Sequence, residues 1–198
     1  MHRFIIAFVL MLVALISSSA EAKPFVDRPR IRMIMHAERA LTQVLTLKTM
    51  FVPGGNLVAG LSPVAEIGVN GKVLRCLSLE FMAAMYFTPA EPAIAIRPAF
   101  NTGDFWAWAD LEVQAPSADA YWFAQAQITL GAFVEVGVEG EGWGTFGRAK
   151  TWSNGVGPNM LLHFSKQVEV DVALHIRHTS GQGGGWKLDP NIRFHIFL

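Results

Sequence analysis

The chain is 198 residues long, 52% hydrophobic and only 16% charged, with sixteen basic residues balanced by sixteen acidic ones. Neither sign is in excess, which argues against a nucleic-acid binder and against an acidic disordered tail. The single cysteine, Cys76, excludes an intrachain disulfide scaffold and a cysteine-rich metal site. So few charges, with a mean hydropathy of +0.32, point to a membrane or to a very apolar core.

Met1-His2-Arg3 precedes an apolar run from Phe4 to Ile16, three serines and Ala20-Glu21-Ala22. A basic start, a short apolar stretch and small residues two apart make the pattern of a secretory signal peptide, predicted here as residues 1–22. A helix needs roughly 20 apolar residues to cross the hydrocarbon, and this run falls short. No later run approaches that length, so a membrane-crossing mature chain would have to cross as a closed sheet. Residues 23–40, with Lys23, Arg28, Arg30, Arg32 and Arg39, read as a basic periplasmic lead-in or a plug at the inner mouth.

From about Leu41 the apolar signal has a period of two, the spacing that sends alternate side chains to opposite faces of a strand. After a first segment from Leu41 to Val52, Leu57, Ala59, Leu61, Ala65, Ile67 and Val69 share one face, with Ser62 and Glu66 on the other. Asn70-Gly71 suits a two-residue hairpin turn. The returning strand places Val73, Leu77, Leu79, Phe81, Ala83 and Met85 opposite Ser78 and Glu80, with Arg75 misplaced on the apolar face. Ile94 and Ile96 then oppose Arg97; Phe105, Ala107, Ala109, Leu111 and Val113 oppose Asp110 and Glu112; Trp122, Ala124, Ala126 and Ile128 oppose Gln125 and Gln127. Val134, Val136 and Val138 oppose Glu135, Glu139 and Glu141, and Met160, Leu162 and Phe164 oppose His163. The longest run, Val168 to Ile176, opposes Glu169, Asp171, His175 and Arg177, and Ile192, Phe194, Ile196 and Leu198 oppose Arg193 and His195.

This gives an all-β, antiparallel up-and-down transmembrane β-barrel over residues 41–198, with about ten strands and eight as the alternative count. Short connections at Asn70-Gly71, Thr102-Gly103, Gly131-Ala132 and Lys166-Gln167 alternate with long glycine-rich ones at Gly144 to Pro158 and Gly181 to Asp189. Outer-membrane barrels alternate short periplasmic turns with longer outer loops in this way. Aromatic residues favour the lipid-water interface. Tyr86, Phe87, Tyr121, Trp122 and Trp143 are expected near the outer one, and Phe105, Trp106 and Phe197 near the inner one. A soluble periplasmic ligand-binding barrel would alternate too, with its apolar face inward. The shortage of charge and the ordered connection lengths favour apolar side chains outside.

At this point the chain resembles the small outer-membrane β-barrel proteins of Gram-negative bacteria, whose last strand alternates apolar residues, ends in an aromatic one and is read by the barrel-assembly machinery. Ile192, Phe194, Ile196 and Phe197-Leu198 carry the likeness, with leucine in last place. The resemblance implies outer-membrane localisation, contact with outer-membrane lipid and the assembly machinery, and a monomer. No nucleic acid, cofactor or metal is expected. The inward acids should pair with Arg97, Arg177, Arg193, His163, His175 and His195, because buried charges need partners. That pairing would close the lumen as a polar plug, or leave a small, weakly selective pathway. His175 and His178 point to opposite faces of one strand, so they are not expected to share a metal.

The most pointed chemical candidate is His178-Thr179-Ser180. Residues two apart share a strand face, so an imidazole can lie beside a hydroxyl and take its proton. Here the chain resembles the outer-membrane lipid A deacylases, which carry a His-x-Ser-Asn stretch on a late strand assisted by a downstream acid. His178 and Ser180 match the first two positions, and Gly181 stands in the asparagine position. The resemblance implies Ser180 as nucleophile, His178 as base and Asp189 as the acid that orients it, although strict alternation aims Asp189 inward. Two functions therefore follow: a barrel with a filled polar lumen and a structural, small-solute or recognition role, or a lipid hydrolase at the outer rim.

Overall fold

The computed structural model describes residues 29–53, 63–146, 152–180 and 185–198. The expected signal peptide, the apolar residues Leu57, Ala59 and Leu61, and Gly181 lie outside them. Eleven strands form a closed barrel: β1 (Arg30–Ala40), β2 (Leu45–Val52), β3 (Val64–Leu74), β4 (Leu77–Phe87), β5 (Ala90–Asn101), β6 (Phe105–Gln114), β7 (Asp119–Thr129), β8 (Val134–Thr145), β9 (Trp152–His163), β10 (Val168–Thr179) and β11 (Gly185–Phe197). Each strand pairs antiparallel with the next, and β1 closes the ring by pairing parallel to β11 from Arg30↔Asn191 to His36↔Phe197.

The architecture expected from the alternation is present, with one strand more than ten. The extra strand is the supposed lead-in. Arg30–Ala40 reads poorly as a strand because its inward positions carry Arg30 and Arg32, yet those arginines answer the buried acids Glu141 on β8 and Asp189 on β11. An odd number of up-and-down strands leaves the first and last running in the same direction. The parallel seam follows from the count.

Three connections differ from expectation. Asn70 and Gly71 lie inside β3, paired with Glu80 and Leu79 on one side and with Thr46 and Leu45 on the other. The chain turns at Arg75 and Cys76 instead, which takes Arg75 off the apolar face. The two long glycine-rich loops are short, because β8 continues to Thr145, β9 begins at Trp152 and β11 begins at Gly185. The turns at Thr102-Gly103, Gly131-Ala132 and Lys166-Gln167 are where the pattern put them, with Gly103 at φ 99° and Gly131 at φ 137°. These turns, with 41–44 and 75–76, make one end of the barrel; the connections 88–89 and 115–118 lie at the other.

The glycines misread as loop are required by the interior. Gly155 on β9 pairs with Arg177 on β10, and a Cβ there would lie 3.1 Å from the guanidinium. A Cβ at Gly157 would stand 1.9 Å from the carbonyl oxygen of Leu174, and one at Gly137 equally close to that of Ala126. No real side chain fits at those distances.

The faces are inside out relative to a soluble barrel. Ile94, Val138, Val156 and Ile176 point outward and are 71%, 58%, 61% and 52% exposed, whereas Glu141 and His175 are wholly buried in the lumen. Of the expected aromatic belts, Phe87, Trp122 and Phe105 face outward. Tyr86, Trp106 and Trp143 instead face the lumen, where Tyr86 donates to Glu112, Trp106 donates to Glu135, and Trp143 lies against Arg177. Each has an inward polar partner that the belt pattern does not register.

Gly157→Ala should destabilise the folded barrel by about 1–3 kcal/mol through overpacking. Gly185→Ala, where an added Cβ meets nothing within 4 Å, should leave it unchanged. The folded fraction in a urea series, read by gel mobility of unboiled samples, checks both.

Candidate functional site

The lumen divides into two electrostatic halves. On the side of β8, β10, β11 and β1, the positive groups Arg30, Arg32, Arg177 and Arg193 meet Glu139, Glu141, Asp171 and Asp189. Arg30 bridges Glu141 and Asp189, and Arg32 reaches Glu141 at 3.1 Å. Arg177 contacts Glu141 at 2.8 Å and Asp189 at 2.5 Å, and Arg193 contacts Glu139 and Asp171. His175 completes this half through Nε2, 2.8 Å from Glu139. Four guanidinium groups thus face four carboxylates, so the half is close to neutral. Trp143 caps it, with Arg30 and Arg177 lying 5.0 and 4.0 Å from its ring centroid.

Glu141, His175 and Asp189 are buried and could bring ligand atoms within 4.8 Å of one another. Their geometry alone would admit a metal ion. Their chemistry disfavours one, since both acids are already taken by arginines whose charge would repel a cation.

The second half, on β3 to β6, is unbalanced. Glu66, Glu80, Glu91, Asp110 and Glu112 face inward on those strands against Arg97. Arg97 bonds Glu66 at 2.6 Å, Glu80 at 3.2 Å and Asp110 at 2.9 Å. Lys48 on β2 adds a 3.1 Å contact to Glu80. Among the described residues, Glu91 and Glu112 have no ion-pair partner; Glu112 accepts instead from the hydroxyl of Tyr86.

Between the halves lies a chamber of about 620 Å³. Its outer lining is Thr88, Pro89, Gln114, Asp119 and Thr145, which sit at strand ends on the loop side, so the chamber reaches that mouth. Its inner lining ends at His36, Gln125, Asp171 and His195. Gln127, Trp106 and Glu135, nearer the turn end, do not line it; Gln127 is 1% exposed, and Trp106 and Glu135 hydrogen-bond each other. The chamber is a pouch closed towards the turns. Part of the lining is apolar, with Ile34, Met50, Val52 and Val64 on β1, β2 and β3; Glu66 lies two residues beyond Val64 and pairs with Met50, and Asp110 and Glu112 line the chamber from β6 with aromatic rings beside them.

The pairings expected from sequence for Arg97, Arg177, Arg193, His163 and His175 are present, His163 lying 2.8 Å from Glu169, whereas among the described residues His195 meets His36 at 3.0 Å and no acid. The pattern missed Arg30 and Arg32, and it missed the chamber, because volume depends on which side chains meet across the ring. The outer-rim trio is not brought together. His178 is exposed on the outer face, against the ring of Trp186 at 4.8 Å. The Ser180 hydroxyl accepts from the Trp152 amide at 2.9 Å and donates to the Trp152 carbonyl at 3.2 Å. Asp189 is held in the lumen by Arg30 and Arg177, on the opposite face of the wall from His178. Among the described residues no hydrogen bond joins any two of the three.

No protein-family model matches this chain, and no curated protein matches it. The site is therefore read from its own chemistry.

Arg193→Gln leaves Glu139 and Asp171 buried without their cation and should destabilise the barrel by about 3–5 kcal/mol. Adding Glu139→Gln should recover part of the loss in the same urea series. Because Ser180 is occupied with the Trp152 backbone, a strain carrying Ser180→Ala should show the wild-type acylation of its outer-leaflet lipid by mass analysis. An acyl chain retained only in the variant would reinstate the hydrolase.

Proposed function

We propose that this chain is an outer-membrane β-barrel that holds a small solute in a blind luminal chamber. The observation that carries this reading is the inversion of the faces. Exposed aliphatic and aromatic side chains run round the outside, while eighteen polar or charged residues among those described are buried. A water-soluble monomer rarely exposes a contiguous apolar patch beyond a few hundred Å². Hydrocarbon outside the wall removes that cost, and closure of the sheet satisfies every strand edge without water.

The arrangement of connections supports an orientation with the 75–76, 102–104 and 164–167 turns on the periplasmic side. The outward Ile192, Phe194 and Ile196 would then present the terminal strand to the assembly machinery. The mouth of the chamber would open to the exterior. A lumen filled by ion pairs beneath that mouth opposes free flow, so the role that fits is recognition or retention of a solute.

Two measurements test this. The protein extracted from membranes should migrate differently boiled and unboiled; identical migration from a detergent-free soluble fraction would remove the membrane reading. In planar bilayers the wild type should pass no steady single-channel current, and the double variant Arg193→Ala, Glu139→Ala should pass some. A large wild-type conductance would turn the role from retention to transport.

A further inference from the structure

We infer that the chamber is a site for an organic cation: an alkylammonium-type group seated among Glu66, Asp110, Glu112 and the aromatic rings beside them, with its apolar body against Ile34, Met50, Val52 and Val64. The inference rests on the membrane-barrel reading and names the class of solute.

Charge is the first ground. Chamber-lining residues Glu66, Asp110 and Glu112 belong to the half of the lumen where acids outnumber bases, and Glu112 forms no ion pair among the described residues. A concave site of one sign with low-dielectric walls concentrates ions of the other sign. The second ground is a polar atom left over. Asp110 is only 5% exposed, it lines the chamber, and among the described residues its Oδ1 has no hydrogen-bond partner although Oδ2 is bound to Arg97. A buried carboxylate oxygen left without a donor is costly, and a bound ammonium would supply what it lacks. The third is the lining. Tyr86, Trp108, Tyr121 and Phe123 border the same space, and a cation near an aromatic face is attracted by the ring quadrupole.

The same observations choose among cations. Glu66, Asp110 and Glu112 do not converge within ligand distance of a single point; among the described residues the one trio that does is Glu141, His175 and Asp189. A compact metal ion needs several oxygens at one centre, at about 2.0–2.6 Å for magnesium or calcium. Carboxylates spread along a wall suit a larger, diffuse cation. The apolar lining of Ile34, Met50, Val52 and Val64 excludes a small, fully hydrated ion as the best occupant. Arg32 and Arg193 line the chamber on the neutral side, paired with Glu141 and with Glu139 and Asp171. They repel the cationic head from that side and so fix which way round the molecule sits. A chamber of this size lies within the usual range for a small-molecule site, mostly apolar with a few placed polar groups.

The test uses the full-length barrel purified in detergent, with hexylammonium as the probe and hexanol and hexanoate as chain-matched controls. Trp108, Trp143 and Trp152 line the chamber, so tryptophan fluorescence reports occupancy, with calorimetry as the second readout. The ammonium should bind saturably, with hexanol about tenfold weaker and hexanoate weaker still. The double variant Asp110→Asn, Glu112→Gln should lose about tenfold in ammonium affinity with hexanol unchanged. Heat-dependent gel mobility confirms that each variant is assembled. Should the double variant fail to assemble, Glu112→Gln alone serves, since Glu112 belongs to no ion pair; a selective loss for the ammonium is again expected.

An assembled wild-type barrel that binds the ammonium no better than hexanol, or not at all, overturns the inference. So does an assembled variant with undiminished ammonium affinity. Both outcomes leave the membrane reading standing, because assembly is read separately; loss of heat-dependent mobility in the wild type would instead remove that reading first.

Discussion

A carboxylate inside a narrow barrel, ringed by backbone whose amides and carbonyls are committed to neighbouring strands, is stable only beside a cation or a strong donor. That requirement governs the interior of this protein. Arg193 lies between Glu139 and Asp171, Arg177 between Glu141 and Asp189, and Arg97 among Glu66, Glu80 and Asp110. Each arginine joins acids from different strands. Its planar fork of donors can serve two carboxylates at once, which the point charge of a lysine does less well. The interior therefore works as a set of cross-ties between strands that are adjacent only through the ring, and removal of one tie strands the charges it served.

The same requirement explains the eleventh strand. With β1 absent, Glu141 and Asp189 would keep Arg177 but lose Arg30 and Arg32. Two acids would then share one guanidinium in the most deeply buried part of the lumen. β1 supplies the balance, and it closes the sheet so that neither β2 nor β11 is left along the seam as an open edge. An added strand makes the count odd, so the seam is parallel, with slanted and slightly weaker hydrogen bonds than its antiparallel neighbours. The ion pairs from Arg30 and Arg32, crossing from β1 to β8 and β11, reinforce the wall at that seam.

Alternation made the faces legible, because it depends only on residue type and parity. Val168, Val170 and Val172 against Asp171 and His175 could hardly be threaded otherwise, and the structure places Asp171 and His175 in the lumen. What alternation handled badly were residues whose role is set by a neighbour on another strand. Gly155 and Gly157 resemble loop residues until the Arg177 and His175 side chains beside the first and the Leu174 carbonyl beside the second are known. Asn70-Gly71 has ideal hairpin chemistry, yet pairing with both β2 and β4 keeps it within a strand. Local turn propensity yields there to ladder hydrogen bonds on both sides. His178 and Ser180 share a spacing that permits catalysis, but spacing cannot reveal that the Trp152 backbone already holds the serine.

Division of the lumen into a balanced and an unbalanced half gives the chamber its character. Where four arginines meet four acids, side chains draw together and fill the space; nothing remains for a ligand to neutralise. Across the axis, Arg97 engages three acids, while Glu91 and Glu112 form no ion pair among the described residues, and beside them on β1, β2 and β3 the chamber is lined by Ile34, Met50, Val52 and Val64. Aliphatic groups cannot close on carboxylates without desolvating them for no return. The lining therefore sets acidic and aliphatic surface side by side, a mismatch that neither can relieve for the other. A molecule with a positive head and an apolar body removes that mismatch on both surfaces at once, whereas water can satisfy only the acidic one.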